Sequence, residues 1–300
     1  MSRPATPSTT AFLVAAAGIA SYSVMDAIMK DMSILHGAYS AVLWRSVAGV
    51  LLLGPIFLAR RKAWPGRAAL TLHIARGAVA GASVLLFFWG LVRVPMAQGV
   101  ALTFLAPLIA LFLAAATLGE RIRRAAIGGS FVASVGVLVI AAGQVQAHAS
   151  AEVVFGSVAI VAASILYAGS LILLRKQAQI ADPLEVALFT SIVLGGILML
   201  GAPWFSAFPR VDYIPHILGA AALGSVSAMA LAWAYGRAEA QVLAPVEYTA
   251  FVWAALLGWW VFGETVSLYT VAGAALIIAG CVVAVRGSSA APAPQTEAAA

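Results

Sequence analysis

The chain has 300 residues, of which 63% are hydrophobic and only 9% charged, and its mean hydropathy is +1.02, whereas soluble domains carry roughly 25% charged residues. So few charges cannot cover a water-facing surface, which excludes a soluble enzyme or binding module. The net charge of +6 sits in short clusters between apolar runs, not in a stripe with interleaved aromatics, which excludes nucleic acid and points to positive loops at a membrane surface.

In chain order, residues 1–10 hold one charge, Arg3, and read as a short cytoplasmic segment. The apolar run 11–29 leads into Asp26, Lys30 and Asp31. A cleaved signal needs a small-residue exit site before any such charged stop, so the run is kept as helix 1. Tyr22, Asp26 and Lys30 follow one another at i, i+4 near its outer end: the plain reading is a surface ion pair, the functional one an outer gate. The next runs are 36–58 with Arg45, 72–92 with Trp89, 96–118 with Gln98 and Pro107, and 125–143. Gly77 and Gly81 form a small-xxx-small pair suited to close helix packing. Trp89 is read as an interfacial anchor or, if it faces inward, a cover for an organic substrate. Beyond a linker at 144–152 come 153–174, 185–203, 213–235 with Trp233 and Tyr235, 238–262 with Gln241, Pro245, Glu247 and Tyr248, and 266–285. Cys281, the only cysteine, excludes an intrachain disulfide and reads as a small core residue. The stretch 287–300 is small, polar and proline-containing, and is expected to be a disordered tail.

Runs of about 20 residues match a hydrocarbon core of roughly 30 Å if they are helical, and the lack of period-2 alternation excludes a barrel. The predicted fold is all-α, with ten transmembrane helices. With both termini cytoplasmic, 13 of the 17 basic residues lie inside, Lys30, Arg93 and Arg210 lie outside, and Arg45 falls within a span. That asymmetry supports the count and the orientation. An offset of 144 aligns Ala106 with Ala250, Ala110 with Ala254, Leu113 with Leu257, Gly119-Glu120 with Gly263-Glu264, Gly129 with Gly273 and Gly136 with Gly280. Each half, 11–143 and 153–286, then holds five helices, and an odd number inverts the second half relative to the first.

Leu118-Gly119-Glu120 and Phe262-Gly263-Glu264, each followed by a glycine-bearing helix, resemble the helix 4–5 junctions of EamA-type transporters in the drug/metabolite transporter superfamily. Ala244-Pro245-Val246-Glu247-Tyr248-Thr249-Ala250 adds to the likeness. The resemblance implies a ten-helix, two-repeat carrier of the bacterial inner membrane that moves a small organic metabolite by alternating access. Relatives handle amino acids, nucleotide-like metabolites, vitamins and drugs. Pro107 aligns with Phe251, so the two corresponding spans need not bend alike.

An intramembrane charge costs about 2.5–3.5 kcal/mol at a helix centre, so each needs a partner or a wet cavity. Arg45 lies nine residues past His36 and Glu247 nine past Ala238, about 14 Å along helices that enter from opposite sides. They form either a structural ion pair or a substrate or proton site. Pro245 frees the carbonyl of Gln241, and Gln241 and Tyr248, seven apart, share a helix face; Pro107 likewise frees the carbonyl of Thr103 near Gln98. Trp233 and Tyr235 end helix 8 as Trp89 ends helix 3. Glu120 and Glu264 are expected to cap the helices that follow them. The partners expected are a small-molecule substrate, the bilayer, protons as coupling ion and a second copy in a homodimer, with no cofactor and no metal. Passive facilitation is the alternative function. A membrane-embedded enzyme is weaker, because there is no HExxH, G-x-S-x-G or GxxxxGK[ST] sequence and His36, His73, His148 and His216 fall in different loops or span ends.

Overall fold

The computed structural model describes residues 8–60, 64–118, 124–147, 150–177, 180–235 and 246–286. Every regular element among them is helical: α1 (Ser8–Arg60), α2 (Arg67–Leu91), α3 (Met96–Thr103), α4 (Ala106–Leu118), α5 (Arg124–Gln146), α6 (Ala151–Gln177), α7 (Pro183–Phe205), a 3-10 turn (Val211–Tyr213), α8 (Ile214–Tyr235), α9 (Thr249–Phe262) and α10 (Leu268–Arg286). Seven described stretches are long and apolar enough to cross a membrane, and α9 and α10 contribute shorter apolar helices. The protein is an all-α, multi-pass membrane protein. Gln241, Pro245, Glu120, the N-terminal segment 1–7 and the tail 287–300 lie outside the described residues.

The first two expected spans are one helix in hydrogen bonding, kinked at Gly37 (φ 79°, ψ 147°). No glycine or proline stands between Ile19 and His36, and Asp26, Lys30 and Asp31 do not end the helix. The break waits for Gly37, the residue type that tolerates positive φ. The first arm therefore runs to residue 36 instead of 29.

The α3–α4 joint at Phe104 and Leu105 falls where Pro107 withholds an amide. Carbonyls around it find other donors: Ser164 Oγ on Leu102 O at 3.3 Å, Thr103 Oγ1 on Val100 O at 2.7 Å and Cys281 Sγ on Phe104 O at 3.1 Å. In the second half residues 246 and 247 are helical, Tyr248 is a turn, and α9 begins at Thr249. Phe104 (φ −65°, ψ −6°) and Tyr248 (φ −70°, ψ −15°) have nearly the same backbone conformation. They are 144 residues apart, and their rings meet edge to face at 5.4 Å. The two joints thus share a backbone conformation at the same register, although Pro107 faces Phe251.

The principal packing pairs are α5 with α10, α1 with α8, α2 with α6, and α7 with both α1 and α2. At the α5–α10 crossing a Cβ on Gly136 would meet Gly273 O at 2.6 Å, and one on Gly280 would meet Gly129 O. Backbones approach this closely only where side chains are absent. Gly77 and Gly81 do the same for α2 against Val193 and Leu194 of α7. Asp182 caps α7 by accepting from Glu185 N at 2.9 Å, with Pro183 in the first turn, where no amide partner is needed.

Candidate substrate site

A cavity of about 100 Å³ lies where the two joints meet α1, α2 and α6. Its polar lining is Tyr22, Ser23 and Asp26 from α1, Ser83 from α2, Thr103 from α3, Ser164 and Tyr167 from α6, and Glu247 before α9, and its apolar lining includes Phe87, Phe88 and Phe104. Three of these pairs are register mates: Thr103 with Glu247 at an offset of 144, and Ile19 with Ser164 and Tyr22 with Tyr167 at 145. The carboxyls break that correspondence, since Asp26 aligns with Leu171 and Glu247 with Thr103. Ser83 Oγ donates to Ala163 O at 2.8 Å and fixes α2 against α6 at the wall. Asp26 Oδ1 is shielded from solvent and has no hydrogen-bond partner.

One helical turn beyond Asp26 the site is latched. Lys30, 2% exposed, donates to Glu264 Oε1 and to Val94 O at 2.8 Å, and its ammonium lies 5.1 Å from the Phe262 ring. Glu264 Oε2 accepts the amide of Met96, in the first turn of α3, at 2.7 Å. Gly263 makes this possible: its positive φ of 65° ends α9, with Gly263 N bonded to Trp259 O and Glu264 N to Gly258 O, both at 3.0 Å. Two expectations are corrected here. Lys30 pairs with Glu264 and not with Asp26, and Glu264 caps α3 and not the helix that follows it; α10 is capped by Ser267 Oγ, which accepts Thr270 N at 3.1 Å.

Arg45 is buried but does not line the central cavity. It lines a smaller, water-sized one of about 20 Å³ with Ser46, Ser191 and Ser225, and its charged and phenolic neighbours are Tyr22 and Asp26. Glu247 faces the central cavity, with Tyr248 beside it in the joint. Gln98 is buried and ties α3 to α6 by donating to Ser157 Oγ at 3.0 Å. Trp89 is half-exposed under the Arg93 guanidinium, 3.5 Å from the ring, and Arg93 also pairs with Glu152 at 2.6 Å. Trp233 packs against the apolar core, and of Tyr235 only the backbone is described.

A second polar cluster lies away from the cavity. His73 in α2 bonds Glu185 Oε1 through Nε2 at 2.9 Å, Gln177 Nε2 donates to His73 Nδ1, and Phe189 stacks on the imidazole at 4.6 Å. All three polar partners are 1% exposed or less, and Arg76 donates to Thr190 Oγ1 at 2.8 Å one turn along. His73 is therefore a buried tie among α2, α6 and α7, not an isolated residue at a span end.

The sequence profile of the EamA-like transporter family matches residues 9–142 and again 154–286. The chain belongs to the EamA-like transporter family. Membership makes it a membrane transporter; among the described residues no group of three His, Cys, Asp or Glu is placed to hold a metal. It is similar to an uncharacterized transporter of Helicobacter pylori, at 27% identity over 86% of this chain and 88% of the other. It is also similar to the pseudopaline exporter CntI of Pseudomonas aeruginosa, at 26% over 87% and 90%, and to a riboflavin transporter of Brucella anthropi, at 24% over 82% and 87%. A crystal structure of a protein 22% identical superposes with a TM-score of 0.59, covering 94% of this chain and 99% of that one, and shows a shared fold. Within this family member, Ser83, Ser164 and Tyr167 line the cavity without having stood out in the sequence, and Thr103, noted there only for its carbonyl, lines it too. The pairing of Tyr22 with Tyr167, one residue out of the 144 register, was the available signal.

Proposed function

We propose that this protein is a secondary transporter that carries a small organic solute across the bacterial inner membrane by alternating access. The observation that carries this reading is the carboxyl-lined cavity at the α3–α4 joint and the turn before α9, with the Lys30–Glu264 ion pair one helical turn beyond Asp26. Broken helices beside a central site are the usual architecture of alternating-access carriers. Dividing α1 at Gly37 and joining α3 to α4 gives ten spans. Two inverted five-helix halves are supported by the contacts of Gly136 with Gly273 and of Gly280 with Gly129, because exchanging the halves turns each contact into the other. The Phe104–Tyr248 contact is likewise its own mate. The basic-residue asymmetry supports cytoplasmic termini. Relatives named for pseudopaline and riboflavin support a small organic cargo.

Glu247, Asp26 and Arg45 handle substrate or protons, with Arg45 acting from behind the cavity wall through Asp26. Tyr248 shapes the joint, and Lys30 with Glu264 forms the outer gate. The test is reconstitution into proteoliposomes preloaded with candidate solutes. Counterflow that saturates is expected; flux that neither saturates nor shows counterflow indicates a pore. Glu247→Gln is expected to abolish or uncouple exchange while the protein remains folded and inserted. Normal exchange by that variant refutes the assignment of Glu247.

A further inference from the structure

We infer that the central cavity is an ammonium site, selecting solutes that carry a single positive charge on nitrogen; this rests on the transporter reading above and names its cargo class. Among the described residues, the lining supplies two carboxyls, Asp26 and Glu247, and no lysine, arginine or histidine. Arg45, the positive neighbour of Asp26, lines the separate smaller cavity and presents no donor to the central one. An anionic solute therefore meets two carboxyls and, among the described lining residues, no cationic donor, a costly arrangement in a desolvated site.

Three further features fit a cation. Asp26 Oδ1 lies buried at the cavity wall without a donor, an acceptor waiting for one. Phe87, Phe88 and Phe104, with the phenols of Tyr22 and Tyr167, offer aromatic surface to a cation, the type of enclosure used for ammonium groups. Hydroxyls of Ser23, Thr103 and Ser164 supply remaining acceptor lone pairs. The carboxyls stand on α1 and ahead of α9, at positions whose register mates are Leu171 and Thr103. The acidity is thus specific to this site and not a by-product of the repeat. A cavity of about 100 Å³ is smaller than the roughly 150 Å³ that accepts benzene, so in this closed form it holds the head group of a ligand.

The test uses three probes that share a tert-butyl group and differ in charge: tert-butylammonium and tert-butanol, which are matched in size, and the slightly larger pivalate, at matched ionic strength. Thermal unfolding of the purified full-length protein is followed as each is titrated. The ammonium is expected to raise Tm with a half-saturating concentration at least about tenfold below that of either other probe, as charge-assisted hydrogen bonds to the carboxyls imply. Asp26→Asn and Glu247→Gln should each erase most of that preference. Equal shifts from all three probes, a larger shift from pivalate, or no shift with the ammonium overturns the assignment, and the wild-type series alone decides it if a variant does not fold. Exchange of neutral or anionic solutes without ammonium preference leaves the transporter reading standing and removes this one. Ammonium-selective stabilisation without any exchange does the reverse.

Discussion

Replacing Lys30 with methionine keeps the length and apolar stem of the side chain but removes the ammonium that joins Glu264 to the carbonyl of Val94. Glu264 keeps its bond to the Met96 amide across the joint. Removing one member of a buried ion pair costs about 3–5 kcal/mol. With the Glu264 side chain 18% exposed, the lower end applies, about 3 kcal/mol. If that stabilisation belongs to the closed form, its loss shifts the closed-to-open ratio by about 100-fold, at roughly 1.4 kcal/mol per tenfold. The assay places one cysteine at Ser83, which is 2% exposed at the cavity wall, in a Cys281→Ala background. A membrane-impermeant maleimide applied from the Lys30 side should label Cys at this position slowly when Lys30 is present and faster, by up to about 100-fold, in Lys30→Met. The charge-swapped double variant, Lys30→Glu with Glu264→Lys, should not restore protection. It would set a carboxylate against the Val94 carbonyl and an ammonium against the Met96 amide. Unchanged labelling in a folded Lys30→Met protein, or full protection in the swap, refutes the latch.

Gly280→Ala should lower Tm, because its Cβ would strike the Gly129 carbonyl, a backbone atom that cannot rotate away; overpacking of this kind costs about 1–3 kcal/mol, and an unchanged Tm means the α5–α10 crossing is looser than described. His73→Ala removes a buried hydrogen-bond partner of Glu185 and the ring stacked on Phe189, so unfolding should shift by about 1–3 kcal/mol while the half-saturating solute concentration in exchange assays stays the same; a change confined to exchange would tie that cluster to transport instead. A reporter fused after Arg286 should be active only in its cytoplasmic form, and periplasmic activity would overturn the orientation.

The joint at Phe104 was legible because its cause is local: Pro107 removes one amide from one turn, and the sequence shows both. Gly-Glu at 263–264 was legible as a repeated signal but not as a contact, since its partners Lys30 and Met96 lie 234 and 168 residues away. Asp26 was misjudged for a simpler reason. Spacing places it on a face with Tyr22 and Lys30, but its depth depends on where the helix stops. With the helix running to residue 36, Asp26 sits ten residues, about 15 Å, from the kink, and what looked like a rim position is interior. Arg45 and Glu247 were read as lying at one depth in separate spans, yet depth says nothing about the rotation that faces Glu247 to the central cavity and Arg45 to a neighbouring one.

The latch also sets a schedule for biosynthesis. Lys30 and the Met96 amide are laid down in the membrane long before Glu264, which follows Lys30 by 234 residues, or roughly 10–50 s at 5–20 residues per second. During that interval the nascent chain must hold a lysine in lipid without its carboxylate. Its place only six residues before His36, near the end of the first arm, lets the long side chain reach the interfacial water until the last hairpin arrives. The same lysine placed at the depth of Asp26 would lack that refuge, so the position of this ion pair is constrained by the order of synthesis as well as by the finished structure.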